Sequence, residues 1–324
     1  MHPGARWTLV PILVIAVAFA ASAAAQPPPS LFTFGGLGSG PSNMDHPFGV
    51  DVGLDGNIYV ADQHNHRIQK FQPNGTLITE WGSFGDGPGQ MEFPSGIAVA
   101  PSGDVYTVEN HSHRISHFTS TGAFVEIIGG PGMFFYPVAI ATDAAGLLYV
   151  ADTYNDRVVK MTASGFPIMV WGSPGSAPGQ MSLPYGIEVD AHGNVYVAEW
   201  GNNRVQKFTS MGGYLTGWGV YGTGPGQFDR PEGIVADNLG NVFVCDTGNN
   251  RIQEFSDTGG FIRQWGTLGS APGQLYTPSD IARTSNGNLY VAEWNNARVQ
   301  VFGPPDQPTL THHASWGRIK SIYH

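Results

Sequence analysis

Along residues 183–219, runs rich in β-branched and aromatic residues at 183–189, 195–199, 204–208 and 214–218 are separated by turns such as Gly193-Asn194 and Gly201-Asn202-Asn203. This pattern predicts an up-and-down sheet of four strands, termed a to d from the inside outward. Gly56-Asn57, Gly240-Asn241 and Gly287-Asn288 supply the same turn elsewhere, offering the positive φ that a tight hairpin needs. The unit recurs. An acid followed five residues later by Arg appears at Asp62/Arg67, Glu109/Arg114, Asp152/Arg157, Glu199/Arg204, Asp246/Arg251 and Glu293/Arg298, with the arginines 47, 43, 47, 47 and 47 residues apart. A period in the forties built of short strands predicts a β-propeller with one copy per blade, so residues 31–303 form six blades of an all-β fold.

The remaining repeated residues are read as what every blade needs. Each acid has a cationic partner in the same copy, and Asn65, Asn155, Asn202, Asn249 and Asn296 follow the acid by three, with Ser112 as the exception. A structural role in shaping the loop between strands b and c is therefore expected, rather than a ring of catalytic carboxylates. In copies one to five a Gly precedes the end of strand d by six residues, as in Gly75/Trp81 and Gly212/Trp218. Copy six places that strand in a stretch containing Pro304, Pro305 and Pro308, which pairs poorly. Residues 31–35 precede copy one without a blade of their own, and are expected to supply the missing outer strand and remove an exposed edge. The tail, residues 304–324, either docks on the rim or forms the closing strand instead.

The segments Pro184-Tyr185-Gly186-Ile187-Glu188-Val189, Gly193-Asn194-Val195-Tyr196-Val197-Ala198-Glu199 and Asn202-Asn203-Arg204-Val205-Gln206-Lys207-Phe208 resemble the NHL repeat family. The resemblance covers all six copies and implies a six-bladed β-propeller. The family includes lyases, RNA-binding modules, sensor domains and interaction platforms, so its implication for activity is broad.

Composition narrows the setting. Residues 1–25 carry Arg6, an apolar run from 7 to 20 and Ala23-Ala24-Ala25, the pattern of a cleaved secretory leader. Export to the periplasm, envelope or medium is expected, with a mature chain starting near Gln26, a short linker at 26–30, and no later membrane span. The single cysteine, Cys245, stands where other copies have Ala or Val and is read as a small buried residue. A formal net charge of −10 without a Lys/Arg cluster argues against nucleic acid as a partner.

A specific site is expected where the copies differ, on the face bearing the b-to-c and d-to-a loops. Asp51, Glu188, Glu232, Asp280 and Arg283 break the pattern on the innermost strands, and the acids are expected to form an acidic mouth for a cationic or polar partner. Tyr185, Trp200 and Trp294 are the candidate anchors. His64 and His66 match His111 and His113 in the next copy, a pattern that would suit zinc or copper if the two pairs converged. No cofactor motif is present: the Gly-Pro-Gly-Gln loops at 87–90 and 224–227 lack the Lys-Ser/Thr of a P-loop. The expectation is a secreted, noncatalytic binding or scaffold propeller for a protein, peptide or glycan. The alternative is a metal-dependent lyase or hydrolase similar to the amidating lyases among NHL propellers. That resemblance implies histidine ligands on inner strands with a catalytic Tyr and Arg, for which Tyr185 and Arg283 are the available residues.

Overall fold

A computed structural model describes residues 26–304, and within it six four-stranded antiparallel sheets form a ring. The expected leader and residues 305–324 of the expected tail lie outside the described residues. The inner strands are Pro47–Val52, Pro94–Val99, Ala139–Thr142, Pro184–Val189, Pro231–Ala236 and Pro278–Arg283, and neighbouring ones touch around a closed circle. Strands a to d follow one another outward in blades 1 to 5.

Blade 6 is completed by Ser30–Gly35, which pairs antiparallel with Arg298–Phe302 so that Phe34 faces Val299 and Phe32 faces Val301. The expected closure by the N-terminal segment is therefore the one observed. Its fit has a steric basis in the turn between strands c and d. Gly75 holds φ +83°, and a Cβ there would lie 2.8 Å from the Phe34 ring. The same contact joins Gly122 to Trp81, Gly165 to Ile128, Gly212 to Trp171 and Gly259 to Trp218. Phe34 thus does at the last seam what a residue at the end of strand d does at four of the others.

The core lies between blades. Val50, Ile58, Val60 and Phe71 of blade 1 pack with Tyr290, Ala292, Val299 and Val301 of blade 6, and comparable clusters fill the other seams. Cys245 is buried among Ile252, Trp265 and Val291, as expected for a small apolar residue.

The acid/Arg pairs knit each b-to-c loop to the connection that precedes its blade. All six acids are 0% exposed. In blade 1, Arg67 donates from Nε to Asp62 (2.8 Å) and from its terminal nitrogens to the carbonyls of Ser39, Gly40 and Asn43. The other oxygen of Asp62 accepts the Asp45 amide at 2.7 Å, and Asn65 bridges Asp62 to the Gly38 carbonyl. A buried carboxylate satisfied by a guanidinium and amides is a structural device.

Candidate functional site at the mouth of the axial channel

Strand a starts at the loop face and runs down the axis, so its register sets depth. The residue after its proline lies at the mouth, and those four and five positions beyond the proline lie toward the face bearing the a-to-b turns. Glu232 and Tyr185 occupy the mouth register, Asp280 one step deeper, Asp51 and Glu188 deeper still, and Arg283 the deepest.

Two cavities of about 250 Å³ each open on the loop face and share Glu232 and Thr277. One is lined by Phe48, Gln63, Asn110, Tyr136, Tyr185 and Trp294; the other lies between Trp200, Arg230, Asn250 and Tyr276. Aromatic and imidazole rings border them almost continuously through blades 6, 1, 2 and 3. Trp294 lies 3.9 Å from His46 between centroids, His46 4.3 Å from His64, His64 5.6 Å from Phe93, and Phe93 4.5 Å from His111. His111 then approaches Tyr136 at 5.5 Å, and Tyr136 stacks on Tyr154 at 4.6 Å. Across the mouth Tyr185 stacks on Trp200, with the Arg230 guanidinium over the same indole. Blades 4 and 5 carry Gly201 and Gly248 where blades 1 to 3 carry His64, His111 and Tyr154, and there Ser182 and Asp229 of the preceding connections pack against the glycines instead of a ring.

Burial pushes the Glu232 carboxyl up to about 8; the nearby Arg230 charge opposes this and Asp280 adds to it. Burial, with Glu232 next, also raises the Tyr185 phenol. Glu232 is therefore protonated for much of the neutral range and available to donate or accept one proton.

The expected single acidic mouth is corrected. Asp51, Glu188, Asp280 and Arg283 line a deeper cavity of about 290 Å³ that reaches the a-to-b turns, including Asn238 and Ser285; Asp280 also lines the narrow space between it and the mouth with Phe48 and Tyr185, and of the four acids Glu232 alone lines the loop-face cavities. The reason is register along strand a. Each deep carboxylate also clasps backbone amides of its own and the next blade: Asp51 those of Val52 and Val99 (both 2.7 Å), Asp280 those of Ile281 (2.9 Å) and Val50 (3.0 Å), and Glu188 that of Ala236 (3.5 Å). Desolvation raises them to about 6 for Asp51, 7 for Asp280 and 8 for Glu188, with the Asp51 charge adding to the latter two. Tyr185 and Arg283 open to opposite faces, so they do not meet around one substrate as the amidating-lyase resemblance would require.

The histidine quartet is corrected as well. His66 Nδ1 accepts the Phe93 amide (3.2 Å), and His113 Nδ1 accepts the Tyr136 amide (2.9 Å). Asp156, Asn203 and Asn250 do the same for Leu183, Arg230 and Thr277. The recipients, like His46, hold φ between 48° and 54° just before each strand-a proline, and this bond secures that strained turn. His66 and His113 thus spend a lone pair on separate seams, and His111 packs between Phe93 and Tyr136. Among the described residues the one group of metal-ligating side chains that converges is Asp45, His46 and His64. The signal that would have found it is the residue before each strand-a proline, His46, Phe93, Tyr136, Leu183, Arg230 and Thr277, which varies as freely as the residue after it.

Residues 39–224 match the virginiamycin B lyase family, and residues 228–255 and 275–302 match the NHL repeat. No curated protein sequence matches the chain. Among solved structures, a streptogramin B lyase is 16% identical with a TM-score of 0.58, covering 83% of this chain and 96% of that one. A catalytically inactive virginiamycin B lyase from Staphylococcus aureus with quinupristin is 18% identical with a TM-score of 0.59, covering 82% of each chain. A chain of a nidogen/laminin complex is 17% identical with a TM-score of 0.58, covering 74% of this chain and 86% of that one. At these identities the likeness is one of fold.

Proposed function

Because the chain belongs to the virginiamycin B lyase family, we propose that its loop face binds a compact ligand carrying aromatic rings and amide-type hydrogen-bonding groups. The observation that carries this reading is the asymmetric aromatic border of the mouth, with Tyr185, Trp294 and Tyr136 around one cavity and Trp200 beside the next. Rigid rings supply contact area at small entropic cost, and Gln63, Asn110, Asn250 and Thr277 stand among them as donors and acceptors for amides. A structure identical in six blades could not orient one asymmetric ligand, whereas this rim, with rings in some blades and glycine in others, can. The expected leader puts the encounter outside the cytoplasm; protein recovered from the envelope or medium should begin near Gln26, and recovery of full-length cytosolic protein would refute export.

A second reading, lyase chemistry, is favoured by Glu232. Its carboxyl, pushed up to about 8, faces the cavity beside Tyr185, where it could move a proton to or from a bound substrate near neutrality. Quinupristin, named with one of the structurally similar lyases, is the probe that separates the readings. Saturable quenching of indole fluorescence is expected on titration. Replacing Trp294 or Tyr185 by Ala should weaken it about tenfold or more, the scale of a binding hot spot. Chromatographic conversion of the probe that is lost in Glu232→Gln with binding retained supports the lyase; binding without conversion leaves a recognition module. Equal affinity in the wild type and both aromatic variants would sink the loop-face site.

A further inference from the structure

We propose that Asp45, His46 and His64 form a mononuclear site for a divalent transition ion of the zinc class, at the seam where the last blade meets the first. This inference is independent of the ligand reading above.

The backbone brings the three together. Asp45 and His46 end the connection into blade 1, and His64 sits on that blade's b-to-c loop. The His64 amide donates to the Asp45 carbonyl (3.1 Å), while the Asp45 amide donates to buried Asp62 (2.7 Å), so loop and connection are fixed to each other. Asp45 Oδ1 lies 2.5 Å from His46 Nδ1 and 3.9 Å from His64 Nδ1. Candidate ligand atoms from all three residues lie within 4.8 Å of one another. Ligands of a tetrahedral zinc ion with bonds of about 2.0–2.2 Å stand roughly 3.3–3.5 Å apart, so shifts on the order of 1 Å complete the geometry.

The donor set suits the ion. Two imidazoles and one carboxylate match the chemistry of three-ligand zinc centres that keep a position open. Without an ion, one carboxylate oxygen serves two imidazoles unequally, bonding one and standing short of the other; an ion would use both. The rings are braced, His46 against Trp294 at 3.9 Å and His64 edge-on to Phe93 at 5.6 Å between centroids. Their side chains remain about one third exposed, so an ion can enter from solvent.

The location has its own logic. At the other five seams a side chain before the blade's Arg accepts the amide of the residue preceding the next proline. Ala297 fills that position in blade 6 and has no side-chain acceptor to offer. The seam closing the ring is thus the one that forgoes this tie, and a metal held by the His46 side chain and the blade 1 loop would brace the same turn.

The test uses the purified protein and the metal alone. Co(II) is expected to give visible absorption bands that saturate at one ion per chain and are displaced by Zn(II). His64→Ala and Asp45→Asn should each weaken binding at least tenfold, whereas His111→Ala, on the same rim but outside the triad, should leave it unchanged. Binding should also fall as pH drops through the imidazole range, because the ligands must be deprotonated. Circular dichroism and melting curves establish that each variant is folded, and Asp45→Asn carries the test if His64→Ala is not. Absence of saturable binding, or affinity unaltered in both ligand variants because ions sit on other histidines, overturns the proposal.

Discussion

At the scale of single residues, the same position does different work in different blades, and that difference is measurable. Arg251 is 7% exposed in its side chain and donates to Asp246, Gln264 and three carbonyls, whereas Arg157 is 32% exposed and bonds Asp152 and one carbonyl. Replacing Arg251 by Ala should lower unfolding stability by about 1–3 kcal/mol, since Asp246 is left buried without its cation. Arg157→Ala should cost less. Chemical denaturation giving the reverse order would contradict the role assigned to the pairs. Ala297 offers the opposite case. It holds φ 52°, where Asn is tolerated far better than most side chains, at the position where Asn203 and Asn250 accept an amide from the next blade. Ala297→Asn should therefore raise stability by about 0.5–1.5 kcal/mol by supplying that bond to His46, and a loss of stability would show that the closing seam differs more deeply than by one side chain.

At the scale of elements, the outer strand Ser30–Gly35 is the piece that makes an open stack of blades into a ring. Deleting residues 26–35 should expose the edge of Arg298–Phe302, leave Gly75 without its ring contact, and produce aggregation or a large fall in melting temperature. Full stability after that deletion would show that another segment closes the ring. This closure was legible because it rests on counting: five copies carry a Gly and a strand-d end, the sixth runs into prolines, and one unassigned strand remains. The acid/Arg pairs were legible for a similar reason, since repetition with a partner in every copy is the mark of architecture. The mutual depth of Asp51, Glu232 and Arg283 was not, because three or four steps along an inner strand separate opposite ends of a channel and periodicity alone does not say which end matters. The Asp45–His46–His64 group was not legible, because His64 lies on a different loop from the adjacent Asp45 and His46, and their meeting depends on the His64 amide reaching the Asp45 carbonyl.

For the whole molecule, the channel couples stability to pH. The folded-state pKa values of Asp51, Asp280, Glu188 and Glu232 lie above their ordinary values, at about 6, 7, 8 and 8. The folded protein therefore binds more protons than the unfolded chain between the ordinary carboxylate range and those values, and stability is lost as pH rises through them. His64 and His66 are lowered by burial and give the opposite slope, but only at and below the usual imidazole value. Between about pH 6.5 and 8.5 stability should fall by on the order of 1 kcal/mol or more, and Glu188→Gln should flatten that fall; a wild-type curve rising with pH over this range would contradict the buried-carboxylate assignment. Around the same axis the two ends differ, one lined by acids that clasp neighbouring blades, the other bordered by rings that differ from blade to blade, and the proposed ligand site lies at the latter. The most direct test of that placement is hydrogen–deuterium exchange with and without saturating quinupristin. Protection is expected at residues 62–66, 133–136, 200–203 and 229–232 of the loop face. Protection confined to the a-to-b turns at 53–57, 237–241 and 284–288, or none at saturation, would contradict it.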